Sequence, residues 1–127
     1  MAKILIVDDS STVRHQLRAA LEEAKYTVVD AADGQNGLEL LNRDKDISLV
    51  LCDINMPKMD GLTIVRKAKD KNDLVNIPIL MLTTESSPEM KLKGKELGVV
   101  GWITKPFNGP KLVVAIEKLL SRASSAN

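Results

Sequence analysis

Short runs of Val, Ile and Leu alternate with longer amphipathic segments along the whole chain. That alternation is the pattern of a parallel sheet with helices on both faces, since doubly covered strands read as continuous apolar runs and crossover helices as 3.6-residue stripes. Five strands are expected, at Lys3–Val7, Thr27–Ala31, Ser48–Cys52, Ile77–Leu82 and Val99–Ile103, with a helix after each. The first helix places Val13, Leu17, Ala20, Leu21 and Ala24 on one stripe and Arg14, Arg18 and Glu22 on the opposite face. Leu38 with Leu41, Leu62 with Val65, and Leu112, Val113, Ile116, Leu119 and Leu120 repeat the motif.

Punctuation agrees with periodicity. Ser87 before Pro88 reads as an N-cap and first helical residue, and Gly98 after Leu97 as the left-handed stop of the same helix. Gly94 inside that helix lowers its intrinsic stability by up to about 1 kcal/mol, as a movable element would tolerate. Residues Ser121–Asn127 read as a frayed end. Neither an internal repeat nor a low-complexity linker interrupts the pattern, so residues 1–127 are expected to form one domain without an output domain.

Composition narrows the function classes. Eighteen Lys and Arg against 17 Asp and Glu leave a net charge of +1, with neither a nucleic-acid-binding excess nor an acidic tail. The single Cys52, preceded by Leu49, Val50 and Leu51, reads as a buried strand thiol. No apolar stretch reaches the ~20 residues that span a bilayer, and no signal-peptide core follows Met1, so a cytoplasmic protein without membrane or nucleic-acid partners is expected. His15 falls on the polar face of the first helix and reads as a surface residue.

In an open parallel sheet, ligands bind beyond the carboxyl ends of the strands. Here those ends carry Asp8-Asp9, Asp53, Thr83-Thr84 and Thr104-Lys105. Each has an ordinary alternative: Asp9 as a helix cap, Asp53 as a turn acid, Thr83 as a strand residue, Lys105 as a solvated lysine. Their joint placement favours phosphoryl transfer to a carboxylate, with acidic oxygens holding Mg²⁺ and Lys and Thr receiving charge on the transferred oxygens. A divalent cation would allow three neighbouring carboxylates to stay ionised together.

The segments Asp8-Asp9-Ser10, Asp53-Ile54-Asn55-Met56-Pro57-Lys58-Met59-Asp60-Gly61, Thr83-Thr84-Glu85 and Trp102-Ile103-Thr104-Lys105-Pro106-Phe107 together resemble a response-regulator receiver domain of the CheY-like, stand-alone kind. The resemblance implies a single (βα)5 doubly wound α/β fold, flavodoxin/CheY-like, with strand order 2-1-3-4-5. It implies that Asp53 accepts a phosphoryl group from a sensor histidine kinase as an acyl phosphate. Mg²⁺ would be held by Asp9, Asp53 and the backbone carbonyl of Asn55, with Asp8 reaching it through water. Lys105 would pair with the phosphoryl group, and the Lys105–Pro106 bond would be cis. Thr83 matches the switch hydroxyl, and Trp102 the coupled aromatic, more often Tyr or Phe. Asn55, Thr84 and Glu85 match positions that tune hydrolysis of the acyl phosphate; Thr84 is larger than usual and would narrow access.

Readout is expected on the fourth-helix, fifth-strand and fifth-helix face, where Lys91, Lys95, Trp102 and Lys111 would meet a protein target, with a solvated basic face as the plainer alternative. A monomer is expected, with a phosphorylation-dependent dimer as the alternative. Chemotaxis-like control of a target is favoured over passage of phosphate along a relay, because the Asn55 and Glu85 pair suits fast turnover. A switch rather than a turnover enzyme is expected. A small Mg²⁺-dependent aspartyl-phosphate phosphatase is disfavoured, since Asn55 stands where those enzymes carry a second Asp. A flavodoxin-like cofactor site is disfavoured too, because Asp8-Asp9-Ser10-Ser11-Thr12 would repel a phosphate.

Overall fold

The computed structural model describes residues 2–56, 60–70, 77–84 and 87–125, with side chains described up to Arg122. Five strands, β1 (Lys3–Val7), β2 (Thr27–Ala31), β3 (Ile47–Asp53), β4 (Ile79–Thr83) and β5 (Gly101–Thr104), alternate with five helices among these residues. The helices are α1 (Ser11–Glu23), α2 (Gly34–Arg43), α3 (Gly61–Asp70), α4 (Pro88–Glu96) and α5 (Gly109–Ser125). The strands form one parallel sheet in the order β2-β1-β3-β4-β5.

Alternate residues of each strand feed two cores. Ile4, Ile6, Leu49, Leu51, Leu80 and Leu82 pack with Leu17 and Leu21 of α1 and with Leu112 and Ile116 of α5. On the other face Leu5, Val7, Val50, Cys52 and Met81 pack with residues of α2 and α3. Cys52 is fully buried, as its apolar neighbours suggested, and burial, then the charge of Asp53, push its thiol well above its ordinary pKa. His15 is exposed, as read from the sequence.

Two strands begin later than periodicity placed them. Pro78 contributes its carbonyl to Val50 N–H (3.0 Å) but has no N–H to return, so the regular ladder starts at Ile79. Val99 is taken by the end of α4: Gly98 turns the chain at φ +91°, its N–H donates to Lys95 O, and Val99 N–H reaches Gly94 O at 2.8 Å. That paired closure leaves β5 to begin at Gly101. At the other end of the molecule, α5 continues to Ser125, because no Gly or Pro interrupts the residues after Ser121; the frayed end expected from Ser121 is corrected as far as Ser125, and residues 126–127 lie outside the described residues.

Ser87 caps α4 as expected, accepting from Met90 N–H at 3.1 Å with Pro88 next. Gly94 is the one buried residue of this helix, and its missing side chain is occupied by an indole. A Cβ there would lie 2.6 Å from Cζ2 of Trp102 and 3.3 Å from its Cη2. Gly94→Ala in an open helix would gain up to about 1 kcal/mol. Here the overlap is expected to reverse the sign, costing about 1 kcal/mol and turning the indole outward. Urea unfolding followed by circular dichroism, with Trp102 emission as the second signal, checks this. Trp102→Phe added to Gly94→Ala should recover the loss, and a stabilised single variant with unchanged emission would contradict the fit.

Candidate phosphoryl-acceptor site

Strand order reverses between β1 and β3, and the acidic residues collect at the carboxyl ends of those two strands. Asp8 and Asp9 follow β1 directly, and Asp53 is the last residue of β3. One oxygen from each of the three lies within 4.8 Å of the others. Asp8 and Asp53 are buried, whereas Asp9 is exposed. Lys105 follows β5, held in register by its N–H to Thr83 O at 2.8 Å. Its Nζ lies 2.9 Å from Asp8 Oδ2 and 3.3 Å from Asp53 Oδ1. The Lys105–Pro106 peptide bond is cis, as the resemblance implied.

Among the described residues, one ammonium stands among three carboxylates, which leaves the cluster short of positive charge. Burial pushes the Asp53 carboxyl above its ordinary pKa; the charge of Asp8 adds to the push and Lys105 opposes it. Burial works against the Lys105 ammonium, but Asp8 and Asp53 outweigh it and hold its pKa above the usual lysine value. Among the described residues, the Lys105 ammonium at 2.9 Å is the one partner that Asp8 Oδ2 has. A buried carboxylate oxygen that shares a single ammonium with a second carboxylate, beside a third, fits a hard divalent cation with oxygen ligands. Among the described residues, Asp8, Asp9 and Asp53 are the side chains able to hold one.

The remaining expected residues fall around this cluster. Asn55 is exposed on the β3–α3 loop and donates its backbone N–H to Asp53 Oδ1 at 3.3 Å. Thr83, the last residue of β4, is fully buried next in the sheet to β3. Thr84 is exposed and, with Lys105, Pro106, Phe107 and Val13, lines a groove of about 530 Å³.

A family model for the response regulator receiver domain matches residues 4–117. The chain belongs to this family. The receiver is 33% identical to a Campylobacter jejuni chemotaxis protein CheY homolog, over 96% of this chain and 95% of the relative. It is 36% identical to the sensor histidine kinase CheAY of Helicobacter pylori, over 91% of this chain but only 14% of that protein's length. Among solved structures, chemotaxis protein CheY4 of Vibrio cholerae superposes with a TM-score of 0.89 at 39% identity, covering 94% of this chain and 98% of that one.

Other parts of the receiver answer the expectations unevenly. Glu85, Pro57, Lys58 and Met59 lie outside the described residues. Lys91, Lys95 and Lys111 are exposed and Trp102 is half-buried. Leu92, Val100 and Val114, exposed by half or more, lie on α4, before β5 and on α5; hydrophobic periodicity gave no sign of them as surface residues. Arg14 and Arg18, expected on an open helix face, instead turn to Asp30 at the edge of the sheet.

Proposed function

We propose that this receiver is a phosphorylation-activated switch of a two-component system, with Asp53 as phosphoacceptor and a sensor histidine kinase as donor. The observation that carries the reading is the buried Asp53 carboxylate, which shares the Lys105 ammonium with Asp8 inside a cluster of three carboxylates. In the step proposed, an Asp53 oxygen bonds to phosphorus as the phosphorus–nitrogen bond of a phosphohistidine breaks, and the imidazole leaves with that electron pair. Lys105 faces the incoming oxygens and meets the charge that Asp53 passes to the phosphoryl group. Mg²⁺, bound by Asp8, Asp9, Asp53 and the Asn55 carbonyl, would neutralise the phosphoryl oxygens. Thr83 and Trp102 are assigned the readout toward α4, β5 and α5, and Asn55, Thr84 and Glu85 the lifetime of the acyl phosphate.

The target surface is assigned to Lys91, Lys95, Trp102 and Lys111, together with the exposed Leu92, because a basic rim around apolar residues suits an amphipathic acidic segment. The match to a chemotaxis protein CheY homolog over 95% of that relative's length favours chemotaxis-like control of a target over a relay. Action in the cytoplasm is part of this proposal; no helix among the described residues is long and apolar enough to cross a membrane.

Incubation with acetyl phosphate, with and without Mg²⁺, followed by intact mass measurement is the direct test. One added phosphoryl group is expected, dependent on Mg²⁺ and absent from Asp53→Asn. A parallel arm with beryllofluoride, read by Trp102 emission, covers an adduct too short-lived for mass measurement. If neither reagent gives an Asp53-dependent response, the receiver acts without phosphorylation.

A further inference from the structure

Asp8 is gripped from three sides, and one grip comes from a residue outside the site. Its N–H donates to Ala31 O at 3.1 Å, and its Oδ1 accepts from Ser10 N–H at 2.9 Å. Its carbonyl accepts from a terminal nitrogen of Arg14 at 2.7 Å. The same guanidinium donates through Nε to Asp30 Oδ2 at 3.2 Å, while Arg18 holds the other oxygen, Oδ1, at 2.9 Å. Arg18 is anchored in turn to Val28 O and to Glu22. A chain of oriented bonds therefore runs from β2 to the turn that carries the acidic pair.

We propose that Arg14, braced by Asp30, is a positioning residue that sets Asp8 and Asp9 for the divalent cation; the inference rests on the cation reading above. Stability is a poor explanation for the bridge. The Arg14 and Asp30 side chains are 19% and 34% exposed, and ion pairs so placed contribute little to folding. What the bridge fixes is direction. A planar fork holds a backbone carbonyl and a carboxylate from two segments in fixed directions, whereas a lysine ammonium would do so with far less angular restraint. The bridge also keeps the guanidinium on the backbone side of the turn. Released from Asp30, it would be free to pair with the exposed Asp9 and compete with the cation.

Titration with Mn²⁺, counting free ion by electron paramagnetic resonance, tests the proposal on the wild-type chain, Arg14→Lys, Asp30→Asn and the double variant. Each single change should weaken Mn²⁺ binding about tenfold, the lower end of what loss of an outer-shell partner does. The double variant should bind no more weakly than the weaker single, since both changes break one bridge. In chelator, the Ser10 amide should exchange faster in both singles while melting temperatures stay close to wild type. Wild-type affinity in Arg14→Lys, additive losses, or variants that unfold in chelator would each overturn the positioning role while leaving the cation reading intact. A wild-type chain that takes up no Mn²⁺ would overturn the cation reading and this inference with it.

Discussion

Lys105→Met is expected to take up phosphoryl groups from acetyl phosphate about a hundredfold more slowly than wild type, the loss typical of removing one preorganised charge partner. The same change should lower stability in chelator by about 2 to 3 kcal/mol. Asp8 and Asp53 are both buried, and among the described residues Lys105 is the cation within reach of both, at 2.9 and 3.3 Å. Removing one partner of a buried ion pair strands the other, and the residual exposure of Lys105, 16%, places the cost somewhat below that of a fully buried pair. The melting temperature should fall by about 10 °C.

Two further outcomes separate this account from a simple packing loss. Mg²⁺ should recover more stability in Lys105→Met than in wild type, because a cation then supplies the missing charge without competing with an ammonium. The deficit should also shrink in acid. Asp53 already has a raised pKa in the folded chain, so its ionised form is the one folding disfavours; protonation relieves the strain as pH falls. A melting temperature in chelator equal to wild type would mean that Lys105 does not neutralise the pair.

The strand-end chemistry was legible because parallel α/β topology converts position along the chain into position in space. Once periodicity located β1, β3, β4 and β5, the residues ending them had to share one edge, and the cluster of Asp8, Asp9, Asp53 and Lys105 follows. Boundaries were less legible where a residue serves two elements. Val99 has the composition of a strand residue but closes α4, and Pro78 reads as strand while lacking half of its ladder bonding. The bridge at Arg14 was illegible for a different reason. Hydrophobic spacing tells which face of α1 is apolar, but not that the polar face curls back over β2, where Asp30 gathers Arg14 and Arg18. Gly94 gave half its meaning: a weak point in a helix was readable, but not the indole that fills the gap.

Among the glycines Gly37, Gly61, Gly94, Gly101 and Gly109, an added methyl group meets the closest overlap at Gly61. Gly61 opens α3, which Asp60 caps by accepting from Thr63 N–H at 2.9 Å, and its own N–H donates to Ile54 O at 3.0 Å. These bonds press the start of α3 against the end of β3. A Cβ at Gly61 would overlap the carbonyl oxygen of Asp53 and lie 2.7 Å from Met81 Cε. The methionine can turn aside, but the carbonyl belongs to the strand backbone and can yield only by moving Asp53 itself. Gly61→Ala should therefore cost about 3 kcal/mol in urea unfolding, and the fraction still folded should accept phosphoryl groups more slowly, since Asp53 is displaced from Lys105. Gly37→Ala is the matched control. There the new Cβ would meet a side-chain methyl of Val7 at 2.9 Å, and the helix gains propensity, so a change within about 1 kcal/mol is expected. Equal costs at the two positions would show that the backbone at Asp53 is free to shift, and that Gly61 does not fix the place of the acceptor.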